Sequence, residues 1–180
     1  MPRRIALLRA VNVGGGNRVG MADLRNLLTD LGFSGVQTVL QTGNLVFDGA
    51  GIGTAALEAL LERELRARLG LSTEVLVRSA AEWAAIVAGN PFTKAAASDP
   101  AHLVVMPLKG EADPAAVAAL RESIAGPELL HAEGRQAYIV YPAGIGRSKL
   151  TMAKLERGLG SRGTGRNWNT VLKLAALAGA

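Results

Sequence analysis

The sequence predicts an α+β protein made of two packed parts, and three observations lead there. Short apolar runs alternate with longer stripes of helical period, and Gly, Asn and Pro mark the changeovers. The length of 180 residues, with 49% of them apolar, suffices for one sizeable core or two small ones but not for a large multidomain assembly. In the first half the segments run β-α-β-β-α-β. That order is the ferredoxin-like split βαβ arrangement, an antiparallel sheet with two helices on one face. The expected division is therefore a ferredoxin-like βαββαβ N-terminal subdomain, residues 1–79, packed with a second, smaller α+β subdomain, residues 80–180.

Each element has a local reason. Arg4 to Val11 is an apolar run that halts at Asn12 and three glycines, which suits a buried strand. Met21, Leu24, Leu27, Leu28 and Leu31 fall on one helical face, with Gly32 where a left-handed C-terminal cap belongs. Val36 to Gln41 alternates with period two, Gly43-Asn44 signals a turn, and Leu45 to Phe47 restarts a strand, so the segment reads as a hairpin. Thr54 caps a helix striped by Leu57, Leu60, Leu61, Leu65 and Leu69 and ended by Gly70; Thr73 to Val77 closes the unit as a strand. Beyond it, Ser79 caps a short helix through Trp83 and Ile86, Asn90-Pro91-Phe92 breaks it, and Lys94 to Asp99 reads as a small-residue loop. His102 to Leu108 is a strand. Asp113-Pro114 starts a helix over Ala115 to Ile124, Leu129 to Glu133 pairs with Tyr138 to Tyr141, and two helices follow at about Leu150–Leu159 and Trp168–Leu177.

Composition removes whole classes of chemistry. With no cysteine there is no disulfide scaffold, zinc finger, iron–sulfur site or cysteine nucleophile, and two distant histidines, His102 and His131, form no local metal motif. Arg9 interrupts the apolar run of the amino terminus, and no stretch elsewhere reaches the ~20 apolar residues of a spanning helix. The expectation is a cytoplasmic protein with no membrane partner.

Charge is segregated along the chain. The formal balance is +5 and the sequence pI about 10.1. Met1 to Arg25 holds five basic residues against Asp23, and Tyr141 to Ala180 holds seven against Glu156. The stretch between them holds eight basic and thirteen acidic residues. Codon usage alone would spread arginine evenly. Either the solvated faces simply fluctuate in charge, or the two ends fold into one positive surface suited to an anionic partner.

Three polar loops stand at helix starts. Asn12 to Gly20 lies between a strand and a helix, where glycine permits positive φ and free N–H groups attract anions. It is neither a Walker A loop, since Met21 and Ala22 follow Gly20, nor a dinucleotide fingerprint, since Val19 stands at the third glycine. The alternative is a plain connection with Asn12 and Asn17 making turn bonds. Tyr141 to Lys149 repeats the pattern: Ser148 caps the next helix, and Arg147 and Lys149 either flank a phosphate site or are two exposed charges. A Ser148–Lys149 nucleophile–base pair is disfavoured, because adjacent side chains at a helix start point apart. In the third loop, Arg166-Asn167-Trp168-Asn169-Thr170, Asn167 is a cap and Trp168 a core anchor, or the polar side chains meet a phosphate or base edge. Gln41-Thr42-Gly43-Asn44 reads as a hairpin turn or as a polar rim beside the first loop. With 4% aromatic residues and none on the first strand, stacking on RNA bases is disfavoured.

These motifs, taken in order, resemble a known family. Leu7-Leu8-Arg9-Ala10-Val11-Asn12-Val13-Gly14-Gly15, Met21-Ala22-Asp23-Leu24-Arg25, Gln41-Thr42-Gly43-Asn44, Asn90-Pro91-Phe92, Tyr141-Pro142 with Arg147-Ser148-Lys149-Leu150-Thr151, and Arg166-Asn167-Trp168-Asn169-Thr170-Val171 closely resemble the bacterial domain of unknown function family 1697. The resemblance implies a two-part α+β protein with a ferredoxin-like first part; it supplies no activity and no cofactor. Ala10 and Gly20 stand where many relatives have Gly and Pro, and Gly20 is expected to loosen the start of the first helix. The functional expectation is a protein that binds a phosphorylated or other anionic small molecule between the subdomains, lined by Arg9, Asn12, Gly14, Gly15, Asn17, Arg147, Ser148, Lys149, Arg166 and Asn169. Its alternatives are a sequence-nonspecific nucleic-acid binder and a protein–protein interaction module. Whether any reaction is catalysed is left open, and no metal is expected.

Overall fold

A computed structural model of the chain describes residues 2–49 and 51–180; Met1 lies outside them. Its first elements are β1 (Arg3–Leu8), α1 (Met21–Asp30), β2 (Ser34–Val39), β3 (Asn44–Asp48), α2 (Thr54–Leu69) and β4 (Val75–Ser79). They build a four-stranded sheet in the order β2-β3-β1-β4 with every neighbouring pair antiparallel, the split βαβ arrangement. Ala6, Leu8, Leu45, Phe47, Val75 and Val77 share one core with Leu24, Leu27 and Leu28 of α1 and Leu57, Leu61 and Leu65 of α2. The alternate residues Ile5, Leu7, Val46 and Leu76 are buried as well. Strands β1, β3 and β4 therefore present no open face on which bases could stack.

Glycine ends both helices as the pattern predicts. Gly32 follows α1 at φ +90, and the Phe33 N–H reaches the Leu28 carbonyl at 3.1 Å; Gly70 ends α2 at φ +64. The starts differ from expectation. Gly20 and Gly53 occupy the N-cap positions without a side-chain cap, so Thr54 is the first helical residue rather than the cap.

The outer edge of β4 is closed by a helix. Only β1 pairs with β4, so the N–H groups of Val75 and Val77 face away from the ladder. They donate to Glu62 Oε1 and Glu58 Oε1, each at 2.8 Å. Residues four apart on a helix rise ~6 Å and residues two apart on a strand ~6.6 Å, so one carboxylate per turn matches alternate strand positions. Arg78, 3% exposed, donates to the Val77 carbonyl at 2.9 Å and lies 4.0 Å from Glu58 Oε1. This burial explains why β4 ends at Ser79 and not at Val77: the charged Arg78, which looks like a strand terminator, belongs to the strand.

The second set of elements comprises α3 (Ala80–Ala88), α4 (Thr93–Ser98), β5 (Leu103–Pro107), α5 (Pro114–Glu122), β6 (Leu129–Glu133), β7 (Gln136–Val140), α6 (Met152–Leu159), β8 (Arg166–Asn167) and α7 (Trp168–Ala178). Ser79 and Glu82 start α3 as a capping box: Ser79 Oγ accepts from the Glu82 N–H at 3.1 Å, and Glu82 Oε2 from the Ser79 N–H at 2.7 Å. Four strands form an antiparallel sheet in the order β6-β7-β5-β8. Val104, Met106, Leu130, Ala137 and Ile139 pack on Val117 and Leu120 of α5 and Leu155 and Leu159 of α6. On the alternate side, Tyr138 is buried and its hydroxyl donates to the Ile86 carbonyl at 2.6 Å; burial pushes its pKa up to about 12.

Three further expectations are corrected. The first strand stops at Leu8 because Ala10 and Asn12 both take φ +54, outside the strand region. The segment from Lys94 is helical, since three successive alanines favour helix once Phe92 accepts from the Ala96 N–H at 3.0 Å. Asn44 belongs to β3 and is fully buried, not a turn tip. The chain divides into two compact units, one running to Ala85 and including Lys173–Ala180, the other Ile86–Leu172, whereas a single cut after residue 79 assigns the C-terminal residues to the second part.

The edge closure is directly testable. Glu58→Ala removes an acceptor and takes a carboxylate from buried Arg78, and should cost about 3 kcal/mol in urea unfolding. Glu62→Ala, which loses one N–H acceptor at a half-exposed site, should cost about 1 kcal/mol.

Candidate functional site

The ten residues expected to line a site divide evenly between the units. Arg9, Asn12, Gly14, Gly15 and Asn17 lie in the first, and Arg147, Ser148, Lys149, Arg166 and Asn169 in the second.

In the first unit the glycine loop is a miniature hairpin. Val13 and Gly16 form an antiparallel bridge, and Gly14 and Gly15 between them take φ +62 and +82, the signs that a type I′ turn demands. Asn12 clamps the base of this hairpin. Its Nδ2 donates to the Val19 carbonyl at 2.9 Å and the Gln41 carbonyl at 2.6 Å, while its Oδ1 accepts from the Val19 N–H at 2.9 Å. The amide is fully engaged, so Asn12 builds the loop. Asn17 Nδ2 donates to the Ser72 carbonyl at 3.2 Å, and Arg9 Nε lies 3.8 Å from the Glu74 carboxylate. Through Gln41 the β2–β3 connection is both turn and rim. Gly43 there takes φ +77, and any side chain would meet Leu8 and Val11 at 2.8 and 2.7 Å.

Backbone strain concentrates in these two touching loops. Ala10, Asn12, Asn17 and Leu40, at φ between +46 and +59, are the non-glycine residues with positive φ among those described. Beside the loop is a cavity of about 350 Å³ lined by Asn12, Arg18, Val19, Gly20, Asp23 and Leu69. It holds one cation and one carboxylate, and so exerts no net pull on an anion.

The second unit is different. A cavity of about 280 Å³ lies between the segment that leaves α5 and the loop from β7 to α6. Arg147 and Lys149 from the loop and Lys154 from α6 line it together with Glu128, with Ile124, Pro127 and Leu150 as its apolar part. Both Arg147 and Lys149 are exposed. The loop turns at Gly144, φ +83, and its far end is tied down when Ser148 Oγ donates to Glu128 Oε1 at 2.5 Å and accepts from the Leu150 N–H at 3.0 Å. Thr151, not Ser148, caps α6, accepting from the Lys154 N–H at 3.2 Å. Glu128 is held below the usual carboxylate range, first by the Ser148 hydroxyl, then by its own backbone N–H and by the charge of Lys154. Burial pushes the Tyr141 phenol, which donates to the Leu150 carbonyl at 2.9 Å, well up.

Arg166 and Asn169 do not join this cavity. Arg166 is buried, donating to Thr164 Oγ1 at 2.7 Å and the Gly165 carbonyl at 2.9 Å, and burial pushes its pKa down to about 10, so it stays charged at neutral pH. Asn169 is exposed on α7, behind the cap in which Asn167 Oδ1 accepts from the Thr170 N–H at 3.0 Å. Sequence reasoning missed Lys154 and Glu128. Lys154 had a signal in the basic balance of the C-terminal segment; Glu128 had an indirect one in the expected pairing of the strands at 129–133 and 138–141, which sets the residue before Leu129 beside the 141–149 loop.

Residues 1–138 match the family described as "Protein of unknown function (DUF1697)". The chain belongs to this family. The match takes in the whole glycine hairpin and ends in β7, so the Arg147-Ser148-Lys149 and Arg166–Val171 motifs lie beyond it. The fold continues past that point in a solved relative, the conserved bacterial protein SP0830 from Streptococcus pneumoniae. It is 24% identical, with a TM-score of 0.77 and 98% of each chain covered. No curated protein matches the chain. Among the described residues no helix is long and apolar enough to cross a membrane, and no group of three or more His, Asp or Glu side chains is placed to hold a metal ion.

The two family departures now have a physical meaning. Ala10 sits at φ +54, where glycine is unstrained, and Gly20 at φ −79, ψ 141, which proline adopts. Ala10→Gly and Gly20→Pro should therefore each stabilise the protein by about 0.5–1 kcal/mol, read as a rise in the thermal midpoint. Ser148→Ala removes the largest influence holding Glu128 down, so the Glu128 pKa should rise back toward the ordinary carboxylate range in a carbon-13 carboxyl titration. A depressed carboxylate contributes stability above its unfolded pKa and loses it as pH falls through the folded value, so the variant should also show a shallower loss of stability in acid.

Proposed function

We propose that this protein binds a phosphorylated or similarly anionic small molecule in the cavity of its second unit. One observation supports the reading above all: Arg147, Lys149 and Lys154 converge on a single cavity whose one carboxylate, Glu128, is already engaged by Ser148. Charge-assisted hydrogen bonds from Arg and Lys are the strong contacts for phosphate oxygens. At about 280 Å³ the cavity is near the lower end for ligand sites, which suits a small metabolite better than a dinucleotide.

The glycine hairpin of the first unit plays another part in this reading. Its glycines answer the demands of a tight turn, and its asparagines are engaged in the chain's own bonds. It is a shaped scaffold, not a phosphate cradle.

The test is a thermal-shift and calorimetric panel of phosphate, pyrophosphate, phosphorylated three- to six-carbon compounds and short DNA and RNA at two salt concentrations. A ligand that binds only the native state raises the thermal midpoint through mass action. The expected result is saturable one-to-one binding of a small phosphorylated compound, weakened at least tenfold by Arg147→Ala with Lys149→Ala. Binding of every nucleic acid tried, with a steep loss in salt and no small-molecule response, would replace this reading with the nucleic-acid one.

A further inference from the structure

The carboxylate in the cation-lined cavity needs an explanation of its own. An ionised Glu128 among Arg147, Lys149 and Lys154 repels the anion those cations attract. A hydrogen bond from the facing loop holds it there. The carboxylate folds over the bare Cα of Gly126, which lines the same cavity, so closely that any side chain at Gly126 would overlap its Oε2. Ser148 then pins its Oε1 from the other loop at 2.5 Å. The Ser148 bond thus sets a charged acceptor on the wall of the cavity. A carboxylate offers about four acceptor sites, and the Ser148 hydroxyl with the residue's own N–H accounts for two.

We propose that Glu128 is a selectivity group, admitting anions that carry hydroxyl donors beside the anionic group and turning away those that do not. The ligand class is a phosphorylated polyol or small sugar: the phosphate on Arg147, Lys149 and Lys154, a neighbouring hydroxyl donating to Glu128, and the carbon skeleton against Ile124, Pro127 and Leu150. A bare phosphate or an alkyl phosphate brings no donor, and meets the carboxylate charge uncompensated. A site that accepts a hydrogen bond from a ligand hydroxyl discriminates against the analogue that lacks it, because the carboxylate then repels the phosphate with no donor to offset the repulsion. This inference rests on the anion-binding reading above and deepens it.

Glycerol 3-phosphate, propyl phosphate and inorganic phosphate, titrated calorimetrically at pH 7.5, test it. The first two share size and charge and differ in hydroxyls. The wild-type protein should bind glycerol 3-phosphate at least tenfold more tightly than propyl phosphate. Glu128→Gln, checked for an unchanged thermal midpoint, should shrink that ratio to less than threefold by tightening propyl phosphate and inorganic phosphate. Equal affinity of the wild-type protein for glycerol 3-phosphate and propyl phosphate would overturn the selectivity role while leaving the anion site standing. Absence of binding by all three would overturn the anion site itself, and the selectivity role with it. The central comparison needs only the wild-type chain, so a variant that fails to fold does not obscure it.

Discussion

A backbone N–H or C=O shut away from water must be paired, and this chain meets that demand repeatedly with side chains. β4 lacks a second neighbour, and Glu58 and Glu62 of α2 stand in for one. The loop after β1 leaves its sheet, and the Asn12 amide holds Val19 in both directions as a strand partner would. At the end of β2, Asn44 Nδ2 donates to the Val39 carbonyl at 2.7 Å from a fully buried position. Ser148 receives the Leu150 N–H before α6 begins. Each contact is worth about 1 kcal/mol net, but leaving the buried group unpaired costs more, about 1–3 kcal/mol. That asymmetry explains why short polar side chains cluster where the regular ladders stop, and why those clusters resemble ligand sites when only the sequence is in view.

The same demand reorganises the charge. Along the sequence the amino-terminal segment is strongly basic, yet Arg3 lies 3.4 Å from Asp48 and Arg9 3.8 Å from Glu74, carboxylates drawn from the acidic middle of the chain. Arg166, equally basic on paper, is buried under its own hydrogen bonds. Segregation in sequence is partly undone in space. What survives is the exposed group on the β7–α6 loop and the start of α6, where Arg147, Lys149 and Lys154 outnumber the single Glu128. Formal charge along the sequence is therefore a poor guide to where exposed charge gathers on the fold.

Most of the fold was legible in the sequence because it depends on short-range rules. The leucine stripes of α1 and α2, the glycines behind them and the Asp113-Pro114 start of α5 are all local signals, and the strand order of the first unit follows from their succession. What escaped had a long-range cause. The strand read as Thr73 to Val77 runs on through Arg78 because Glu58, twenty residues earlier, gives that side chain a place inside. Asn44 looked like a turn residue because nothing nearby shows that Val39 would need its amide. Of the site, the loop carrying Arg147, Ser148 and Lys149 was visible as a polar, glycine-rich junction. Glu128 was passed over because the expected pairing of the two strands brings it near that loop but no local pattern marks its bond to Ser148.

That relation also bears on what the cavity can do. A serine donating to a carboxylate suggests an activated nucleophile, the carboxylate serving as general base. For such a role the base needs a pKa near the working pH. Glu128 is shifted the other way, and the hydrogen bond from Ser148 is the first cause of that shift. The bond therefore keeps the proton on Ser148 and the charge on Glu128 over the whole neutral range. A fixed charge and a fixed donor are what the binding proposal asks of the pair, since a constant electrostatic pattern can select among ligands. On the binding proposal the pair holds a pattern of charge, and the three cations that line the same cavity set which ligands that pattern fits.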